Sequence, residues 1–468
     1  MSIENYPLIS DWLAVQGDRL VVKTGKVDIG QRISTALAQI AHEELGVPLQ
    51  DIDIAPVRTG ESPDEGMTSG SNSVEQSGQA VRKASATLRG MLIEQAVAAN
   101  GGSPEDWEFS EGRLIRKGSN LSLSVAKATG QLDLSAPIDA EAVSSPASAK
   151  PPKPAMRGLT EMVTGQYVFV HDLEVPGMLH ARVVRPPHAM ARLKDNCRNS
   201  TDRLADEGLE LIRDGSFLAI AGPVEWQVVK AAQRFAAACD WEDNGGLPEE
   251  DVFEQLKAEN AERLEVVGGV PQKGPVPAPL TGTDFSARYE KPYLMHGALA
   301  PSAAMAVWSG DCLEITCHSQ GIYPLRESIA DSLGLPLDQV VITHRPGSGC
   351  YGHNGADDAA YEAALIAMAL PDTPVLLKWT REEEHRWEPY APAMAVELAV
   401  TYSDAGKITA FSAEAFSDTH RGRPRAGPDR AGPSRLLANR LRAEALPAPV
   451  ALPNMNKHGG MHRNLDPF

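Results

Sequence analysis

The chain has few of the features that mark several common protein classes. Its 468 residues include five cysteines and no CxxC pair, which argues against a disulfide framework or a metal or iron–sulfur site made by this chain alone. No run of Lys and Arg provides a nucleic-acid footprint, because 44 basic residues stand against 62 acidic ones. No stretch reaches the roughly 20 apolar residues that a membrane span needs.

Common catalytic signatures are also missing. GxSxG, GxxxxGK[ST], HxH and HExxH do not occur, so serine-hydrolase, P-loop and simple metalloprotease chemistry have no support. The N-terminus lacks a basic region followed by an apolar run, so we expect a cytoplasmic protein, with export beside a signal-bearing partner as the alternative. Apolar residues make up 42% and charged residues 23% of the chain, which predicts a globular protein with real cores.

Proline-rich stretches divide the chain. Residues 135–160 include SAPIDAEAVSSPASAKPPKP, which has neither helical nor strand periodicity and predicts a linker. A second Pro- and Gly-rich stretch ends near residue 282. We therefore predict domains at 1–134, 161–282 and 283–468. We expect the last domain to be incomplete in this chain, because the sequence from residue 421 onward is irregular.

The apolar spacing predicts a mixed α/β fold. One helix is predicted through Ile33, Leu37 and Leu45, and Ser34 or Thr35 can cap it. The other predicted elements are strands at 20–23, 167–170, 179–184, 217–221, 304–308, 313–317, 339–343 and 375–379, and helices at 81–96, 224–238, 325–333 and 357–370.

Three Gly- and Ser-rich loops each run into a predicted helix, at residues 25–31, 66–79 and 347–355. At such a junction the free backbone N–H groups and the helix dipole favour an anion, and glycine allows close approach of a ligand. Three such loops indicate a large phosphate-bearing cofactor held at several points. Each loop taken alone is also consistent with an ordinary glycine turn.

The third loop contains GSGCYG at residues 347–352, a literal GxGxxG between a predicted strand and a helix. This spacing allows an NAD-binding dehydrogenase as an alternative, with acidic residues 382–384 after the next strand. Residues 353–355 extend the loop beyond the tight turn of that fingerprint, and much of the sequence after it is irregular. We therefore rank the nicotinamide interpretation low.

Several polar side chains are weaker candidates. Gln320 follows a predicted strand, at a strand terminus where α/β proteins tend to place ligand contacts, although an exposed turn glutamine fits equally well. His296, His318, His344 and His353 could ligate a metal, but no characteristic spacing supports this, and structural hydrogen-bonded histidines are the more common case.

Six ordered motifs resemble the molybdopterin-binding large subunit of the xanthine dehydrogenase and aldehyde oxidoreductase family, especially its isoquinoline 1-oxidoreductase and nicotinate dehydrogenase branch. The motifs are TGKVDIGQ with TALAQIAHEEL, TSGSNSVEQSGQAVR, HDLEVPGMLHARVVRPP, KPYLMHGALAPS, HSQG, and GSGCYGHNGADDAA with PVLLKWTREEE. They cover nearly the whole chain and keep the order of that branch.

The resemblance implies a hammerhead-like α/β domain between two molybdopterin-binding units. It implies molybdenum held by a pterin, in the cytosine dinucleotide form, and a small partner subunit with [2Fe–2S] clusters that receives the electrons. The reaction implied is hydroxylation of an aldehyde or nitrogen heterocycle with oxygen from water. The partners implied are this iron–sulfur subunit and a small-molecule substrate, without nucleic acid.

The resemblance also assigns residues. Gln320 matches the glutamine that hydrogen-bonds the apical oxygen ligand of molybdenum. The residues matched to cofactor contacts are Gly30, Gln31, Thr68, Ser69, Gly70, Ser71, Asn72, Ser73, Gly78, Gln79, Gly349, Cys350, Tyr351 and Gly352.

Two departures from the family pattern follow. Arg32 stands where the family has glycine, and it either obstructs the cofactor or adds a charge for a phosphate. The Gly-Glu-Pro segment with the base glutamate has no match, so we expect a second chain or segment to supply it. The alternative is a truncated or split chain that acts as an inactive scaffold without cofactor.

Overall fold

The computed structural model describes most of the chain. The described residues are 2–145, 153–188, 191–194, 203–242, 251–257, 264–268, 270–417, 423, 436, 438, 442 and 461–464. The irregular tail expected from residue 421 onward lies largely outside the described residues, and Cys197 does too. The four described cysteines, Cys239, Cys312, Cys317 and Cys350, form no disulfide. No described helix is both long and apolar enough to cross a membrane.

The fold mixes helices and strands, as the sequence predicts. The α-helices are Ile9–Trp12, Ile33–Leu45, Gln79–Asn100, Val125–Thr129, Leu159–Val163, Glu225–Ala238, Val252–Gln255, Ile322–Leu333, Ala356–Ala369 and Arg381–Trp387. The strands are Leu13–Gln16, Arg19–Val22, Ile52–Ile54, Trp107–Ser110, Arg113–Arg116, Ser122–Ser124, Leu179–Val183, Arg192–Leu193, Glu210–Asp214, Phe217–Gly222, Trp241–Glu242, Leu264–Val267, Val270–Gln272, Phe285–Lys291, Ala303–Ser309, Cys312–Cys317, Val340–His344, Val375–Lys378, Met394–Tyr402, Ile408–Ser417 and Met461–Asn464.

Contacts divide the chain into two compact units that do not follow the linear order. Unit 1 comprises residues 1–178, 303–349 and 363–377. Unit 2 comprises residues 179–302, 350–362 and 378–468. The segment around residue 160, expected to end a linker, therefore groups with the N-terminal part. The assignment of a hammerhead-like domain between two cofactor units stays a prediction.

The N-terminal part of unit 1 is built on two helices over a small sheet. Strands Arg19–Val22 and Ile52–Ile54 are parallel, and helix Ile33–Leu45 connects them. The helix forms because its apolar residues recur at helical spacing and face the core, where Leu37 and Leu45 are fully buried. Gly46 follows its last residue, and the φ of 61° at Gly46 is the left-handed backbone conformation in which glycine often ends a helix.

The predicted capping of this helix is wrong. Its N-cap is Arg32, with a φ of 57° and no side-chain cap hydrogen bond. The Ser34 hydroxyl instead donates to Asp28, and the Thr35 hydroxyl accepts from the backbone N–H of Arg157 at 3.0 Å. Both hydroxyls are therefore engaged by partners that sequence spacing cannot reveal.

The C-terminal strands of unit 1 match their predictions within two residues. Strands Ala303–Ser309 and Cys312–Cys317 form an antiparallel hairpin, and Val340–His344 joins Cys312–Cys317 in parallel. Helix Ile322–Leu333 makes the crossover. The strand predicted at 167–170 is wrong: the chain forms a 3₁₀ turn at Val170–Asp172, because the Asp172 carboxylate accepts the Phe169 N–H at 3.0 Å and closes a turn.

Two larger groups of antiparallel strands lie in the described part of unit 2. Phe217–Gly222 lies between Leu179–Val183 and Glu210–Asp214, and helix Glu225–Ala238 contributes Val228 and Phe235 to their core. The second group pairs Met394–Tyr402 with two neighbours, Phe285–Lys291 and Ile408–Ser417. These three strands are absent from the sequence-based prediction. Phe285–Lys291 is largely exposed and lacks the apolar alternation that signals a strand.

Candidate functional site

Three of the predicted binding segments meet at Thr68 in unit 1. Thr68 is 3% exposed, and its hydroxyl oxygen accepts the N–H of Val27, from the first loop, at 2.9 Å. The Thr68 N–H donates to the carbonyl of Gln320 at 2.8 Å, and the Gln320 side-chain amide donates to the Thr68 carbonyl at 3.0 Å. Partners 41 and 252 residues away in the sequence thus form one hydrogen-bonded cluster with Thr68.

Glu65 joins the same two loops from the other side, and no sequence motif pointed to it. Its carboxylate accepts the Gly25 N–H at 2.9 Å and a hydroxyl hydrogen of Ser77. The Lys26 ammonium donates to the carbonyls of Glu65 and Met67 at 2.7 and 3.1 Å. Burial lowers the pKa of Lys26. The only sequence signal for Glu65 is its place directly before the second glycine loop.

The first loop exposes Gly30 and Gln31. Gly30 has a φ of 112°, and no atom lies within 4 Å of where a Cβ would be, so its backbone is open to a close neighbour. The Gln31 amide is folded onto its own loop, where it accepts from the Ile29 N–H at 2.7 Å and donates to the Val27 carbonyl at 2.8 Å. Gln31 therefore stabilises the loop conformation. Its amide can contact a ligand only if these two hydrogen bonds break.

The second loop combines an exposed tip with a buried end. Ser69, Gly70 and Ser71 are exposed, and Gly70 and Ser71 both have φ near 60°. After Asn72 and Ser73 the chain forms a π-helical turn at Val74–Gly78, a feature often found at functional sites.

The end of this turn serves packing. Gly78 is buried, and a Cβ there would lie 3.1 Å from Cδ1 of Ile40. Gln79 is exposed and begins the long helix Gln79–Asn100. Gly78 therefore packs against Ile40 of helix Ile33–Leu45, whereas the loop tip at residues 69–71 is exposed to solvent.

The strand end that carries Gln320 is closely packed. Gln320 is 7% exposed, which excludes the exposed turn glutamine considered from the sequence. The neighbouring His318 accepts the Ala303 N–H on Nε2 at 3.2 Å. A Cβ on Gly347 would lie 2.7 Å from Nδ1 of His318, so the third loop requires glycine there for packing. His318 is thus a structural histidine.

The third loop continues into unit 2. Cys350 is 2% exposed, its thiol donates to the Gly352 carbonyl at 3.1 Å, and burial raises its pKa. Tyr351 has a φ of 59° and is largely exposed. Gly352, with a φ of 136°, lies against the ring of His296, since a Cβ would be 2.4 Å from Cδ2. Gly349, on the unit 1 side, has a φ of 100°.

Two buried carboxyl groups support this part of unit 2. The sequence suggests Glu384 only as one of the acidic residues 382–384 of the nicotinamide alternative, and it gives no signal for Glu388. Glu388 accepts the N–H groups of His296 and Gly297, at 2.5 and 3.4 Å. Glu384 accepts the Ser302 N–H at 2.7 Å and the Gly355 N–H at 3.5 Å. Burial and the neighbouring Glu384 raise the pKa of Glu388 to about 7.

The glycines of GSGCYG argue against the nicotinamide interpretation. Eleven residues separate strand Val340–His344 from helix Ala356–Ala369, which is longer than the tight turn of a dinucleotide fingerprint. Gly347 and Gly352 pack against histidine rings. These glycines make room for neighbouring side chains of the chain itself.

Similarities to known proteins identify the domain families in this chain. Residues 14–170 match a molybdopterin cofactor-binding domain family, and residues 259–422 match a second family of the same description. A nicotinate dehydrogenase subunit of Pseudomonas putida is 30% identical over 419 residues, which cover 86% of this chain and 34% of that protein. The aldehyde oxidoreductase molybdenum-binding subunit PaoC of Escherichia coli is 33% identical over 134 residues, or 28% of this chain and 18% of that protein.

A partial structural similarity is also found. Quinoline 2-oxidoreductase from Pseudomonas putida 86 aligns with a TM-score of 0.41 and 17% identity, over 55% of this chain and 38% of that one. The chain spans about a third of the length of the nicotinate dehydrogenase subunit.

The two matches show that the chain carries molybdopterin cofactor-binding domains. The chain belongs to the xanthine dehydrogenase and aldehyde oxidoreductase family, as a member of its molybdopterin-binding large subunits.

Proposed function

We propose that this chain contributes the cofactor-binding part of a molybdenum hydroxylase that oxidises an aldehyde or a nitrogen heterocycle. The observation that carries the proposal is the cluster at Thr68, because it unites in one unit three segments that the family resemblance assigns to the cofactor. The relatives named as nicotinate dehydrogenase and aldehyde oxidoreductase subunits support these two substrate classes.

The exposed loop tips suit a pterin with its phosphates. Gly30 and Gly70 have positive φ and are exposed, so their backbone can approach a ligand where a side chain would intervene. Gly349, Cys350, Tyr351 and Gly352 are also proposed to contact the cofactor. When bound, molybdenum and the pterin would supply the two-electron redox chemistry, in the cytosine dinucleotide form that the bacterial branch favours.

The role proposed for Gln320 is to orient a hydrogen bond at the metal's oxygen ligand. Its amide nitrogen donates to the Thr68 carbonyl, which fixes the side chain in one orientation relative to the second loop. A buried amide held in this way pre-organises a polar contact at little entropic cost when the ligand arrives.

The proposed partners are a small subunit with [2Fe–2S] clusters and a chain or segment with the base glutamate. A relative named as the gamma subunit of the 6-hydroxypseudooxynicotine dehydrogenase complex, from Paenarthrobacter nicotinovorans, is 35% identical over 107 residues. Subunit names of this kind support an assembly for the present chain. An inactive scaffold without cofactor is the competing candidate.

Metal and pterin analysis of the protein purified from its native host, together with whatever copurifies, tests the proposal. Near-stoichiometric molybdenum with an iron–sulfur chain supports a hydroxylase, and it justifies a screen of aldehydes and nitrogen heterocycles. Absence of molybdenum, pterin and partner contradicts the proposal and favours the scaffold.

The Gln320→Ala variant tests the residue assignment. In the assembled enzyme it should lower turnover at least about tenfold, because a contact at the reacting metal is lost, while pterin content stays nearly unchanged. Gln131→Ala, at an exposed position in the same unit, is the matched control and should keep full turnover. Full turnover in Gln320→Ala would remove this residue from the site.

A further inference from the structure

Unit 1 contains a cavity of about 260 Å³ that is lined by none of the residues matched to cofactor contacts. Its charged and polar lining includes Lys26, Asp28, Arg32, Arg157 and His344. We call it the Lys26 cavity. Its volume is slightly below the roughly 300–1,000 Å³ typical of ligand pockets, so it has room for a small ion together with bound water.

The charges of the Lys26 cavity favour an anion. Lys26, Arg32 and Arg157 are cationic, and Asp28 is the acidic side chain among the described lining residues. Outside the lining, a carboxylate oxygen of Asp53 lies 3.9 Å from Arg157, and the Lys26 ammonium donates to two backbone carbonyls. Arg32 lies over the Tyr167 ring, 5.7 Å from its centroid, which keeps its guanidinium beside the cavity.

Backbone geometry adds to this preference. Helix Ile33–Leu45 begins at the cavity, with Ile33 and Ser34 in the lining. Free N–H groups and the positive end of the helix dipole attract oxyanions.

Two buried polar atoms of the lining have no hydrogen-bond partner among the described residues. One is Nε2 of His344, in a residue only 8% exposed. Burial lowers the pKa of this histidine to about 3, so its imidazole is neutral at physiological pH and offers a hydrogen bond without charge. Such buried atoms are costly when left unpaired, and a ligand in the cavity is a natural partner.

The second atom is Oδ1 of Asp28, whose other carboxylate oxygen accepts from the Ser34 hydroxyl. A carboxylate is a pure acceptor, so it repels an oxyanion that lacks hydrogen and favours one that carries a hydroxyl. Hydrogen phosphate has such a hydroxyl at neutral pH and sulfate has none.

We propose that the Lys26 cavity binds a small protonated oxyanion, of which hydrogen phosphate is the simplest. Lys26, Arg32 and Arg157 balance its charge, His344 donates or accepts a hydrogen bond, and Asp28 accepts its hydroxyl hydrogen. The site lies beside the first candidate cofactor loop, to which Lys26 and Asp28 belong, and the proposal concerns the chain without its pterin.

Calorimetric titration of the full-length, cofactor-free chain with inorganic phosphate and with sulfate, at constant ionic strength, tests the site. Saturable one-to-one phosphate binding is expected, with sulfate at least about tenfold weaker because Asp28 would face an oxygen without hydrogen. No saturable phosphate binding, or equal affinity for both anions, overturns the proposal.

Two variants locate the binding. Arg157→Gln should weaken phosphate binding at least about tenfold through loss of a cation, and Asp28→Asn should bring the affinities for phosphate and sulfate together. Arg113→Gln, on an exposed hairpin of the same unit, is the control and should bind both ions as the parent does. Unchanged binding in both variants would overturn the assignment.

Because Arg157 also donates to the Ile52 carbonyl at 2.9 Å, thermal unfolding must accompany its titration. Asp28→Asn keeps the side-chain shape and leaves the test valid if Arg157→Gln does not fold. Repeating the titration on pterin-loaded protein separates the two sources of the oxyanion: retained binding supports a free ion, and lost binding supports a phosphate of the cofactor.

Discussion

The two groups of candidate loops are held in different ways. In unit 1 the loops at 25–31 and 66–79 are joined by short-range hydrogen bonds from backbone amides and hydroxyls, centred on Thr68 and Glu65. In unit 2 the loop after Cys350 lies against His296, which depends on the buried Glu388. Both arrangements include a carboxyl group, Glu65 in unit 1 and Glu388 in unit 2, and the pKa of Glu388 is raised to about 7 by burial and by Glu384.

The difference shows that similar glycine loops can respond differently to substitution and to pH. A hydrogen bond between a backbone amide and a hydroxyl, as from Val27 to Thr68, is retained over a wide pH range, while a buried carboxyl group contributes differently in its neutral and charged forms. The largest steric effect is expected where a new Cβ would meet backbone atoms, as at Gly25 in unit 1, and a pH effect near neutrality is expected from Glu388 in unit 2.

The largest effect is expected from Gly25→Ala in unit 1. A Cβ at this position would lie 2.0 Å from the Pro63 carbonyl oxygen, so the two loops must separate, at a cost of about 3 kcal/mol in the free energy of unfolding. Urea unfolding of the purified chain measures this cost. Gly90→Ala, in a helix with no atom within 4 Å of the new Cβ, should be neutral or slightly stabilising. Equal stability of the two variants would contradict the steric argument.

The next effect is a pH dependence from Glu388. Its pKa is about 7 in the folded chain and near 4.5 when unfolded, so the folded state binds more protons between these values. Its stabilising contribution is complete below about pH 4.5 and is lost as the pH rises through 7. The pKa shift of Glu388 allows a loss of at most about 3 kcal/mol in the free energy of unfolding. Because water screens this half-buried group, the expected loss is about 2 kcal/mol.

Glu388→Gln should remove most of this slope, since its amide is neutral at every pH in the range. Unfolding free energies measured between pH 4.5 and 8 provide the check. Glu108→Gln, at an exposed strand position, should keep the slope of the parent chain. A slope that persists in Glu388→Gln would assign the titration to another group.

A smaller effect is expected from Thr68→Val, which removes the hydroxyl acceptor for the Val27 N–H. One buried donor is left unpaired, and the unfolding free energy should fall by about 1–2 kcal/mol, with weaker pterin retention in the assembled enzyme. Thr129→Val is a matched control, because the buried Thr129 hydroxyl has no hydrogen-bond partner within the described part of the chain. Thr129→Val should be neutral or stabilising, and a larger loss there than at Thr68 would refute the comparison.

Much of the local structure could be predicted because it depends on local spacing. The helix through Ile33, Leu37 and Leu45 and the strands around Gln320 follow from apolar periodicity. The strand Phe285–Lys291 could not be predicted, since it exists through pairing with a strand more than a hundred residues away. The N-terminus of helix Ile33–Leu45 could not be predicted for the same reason, because Thr35 is engaged by the remote Arg157.

Residue order alone is enough to recognise the family, the glycine loops and most elements of regular structure, since these depend on patterns over short distances. Folding was needed to bring Gln320 to Thr68, to reveal the role of Glu65, and to place Glu388 beside His296. It also brought Arg157 and His344 to one cavity. Hydrogen bonds, buried charges and cavities depend on distances between remote segments, which the chain acquires only when it folds.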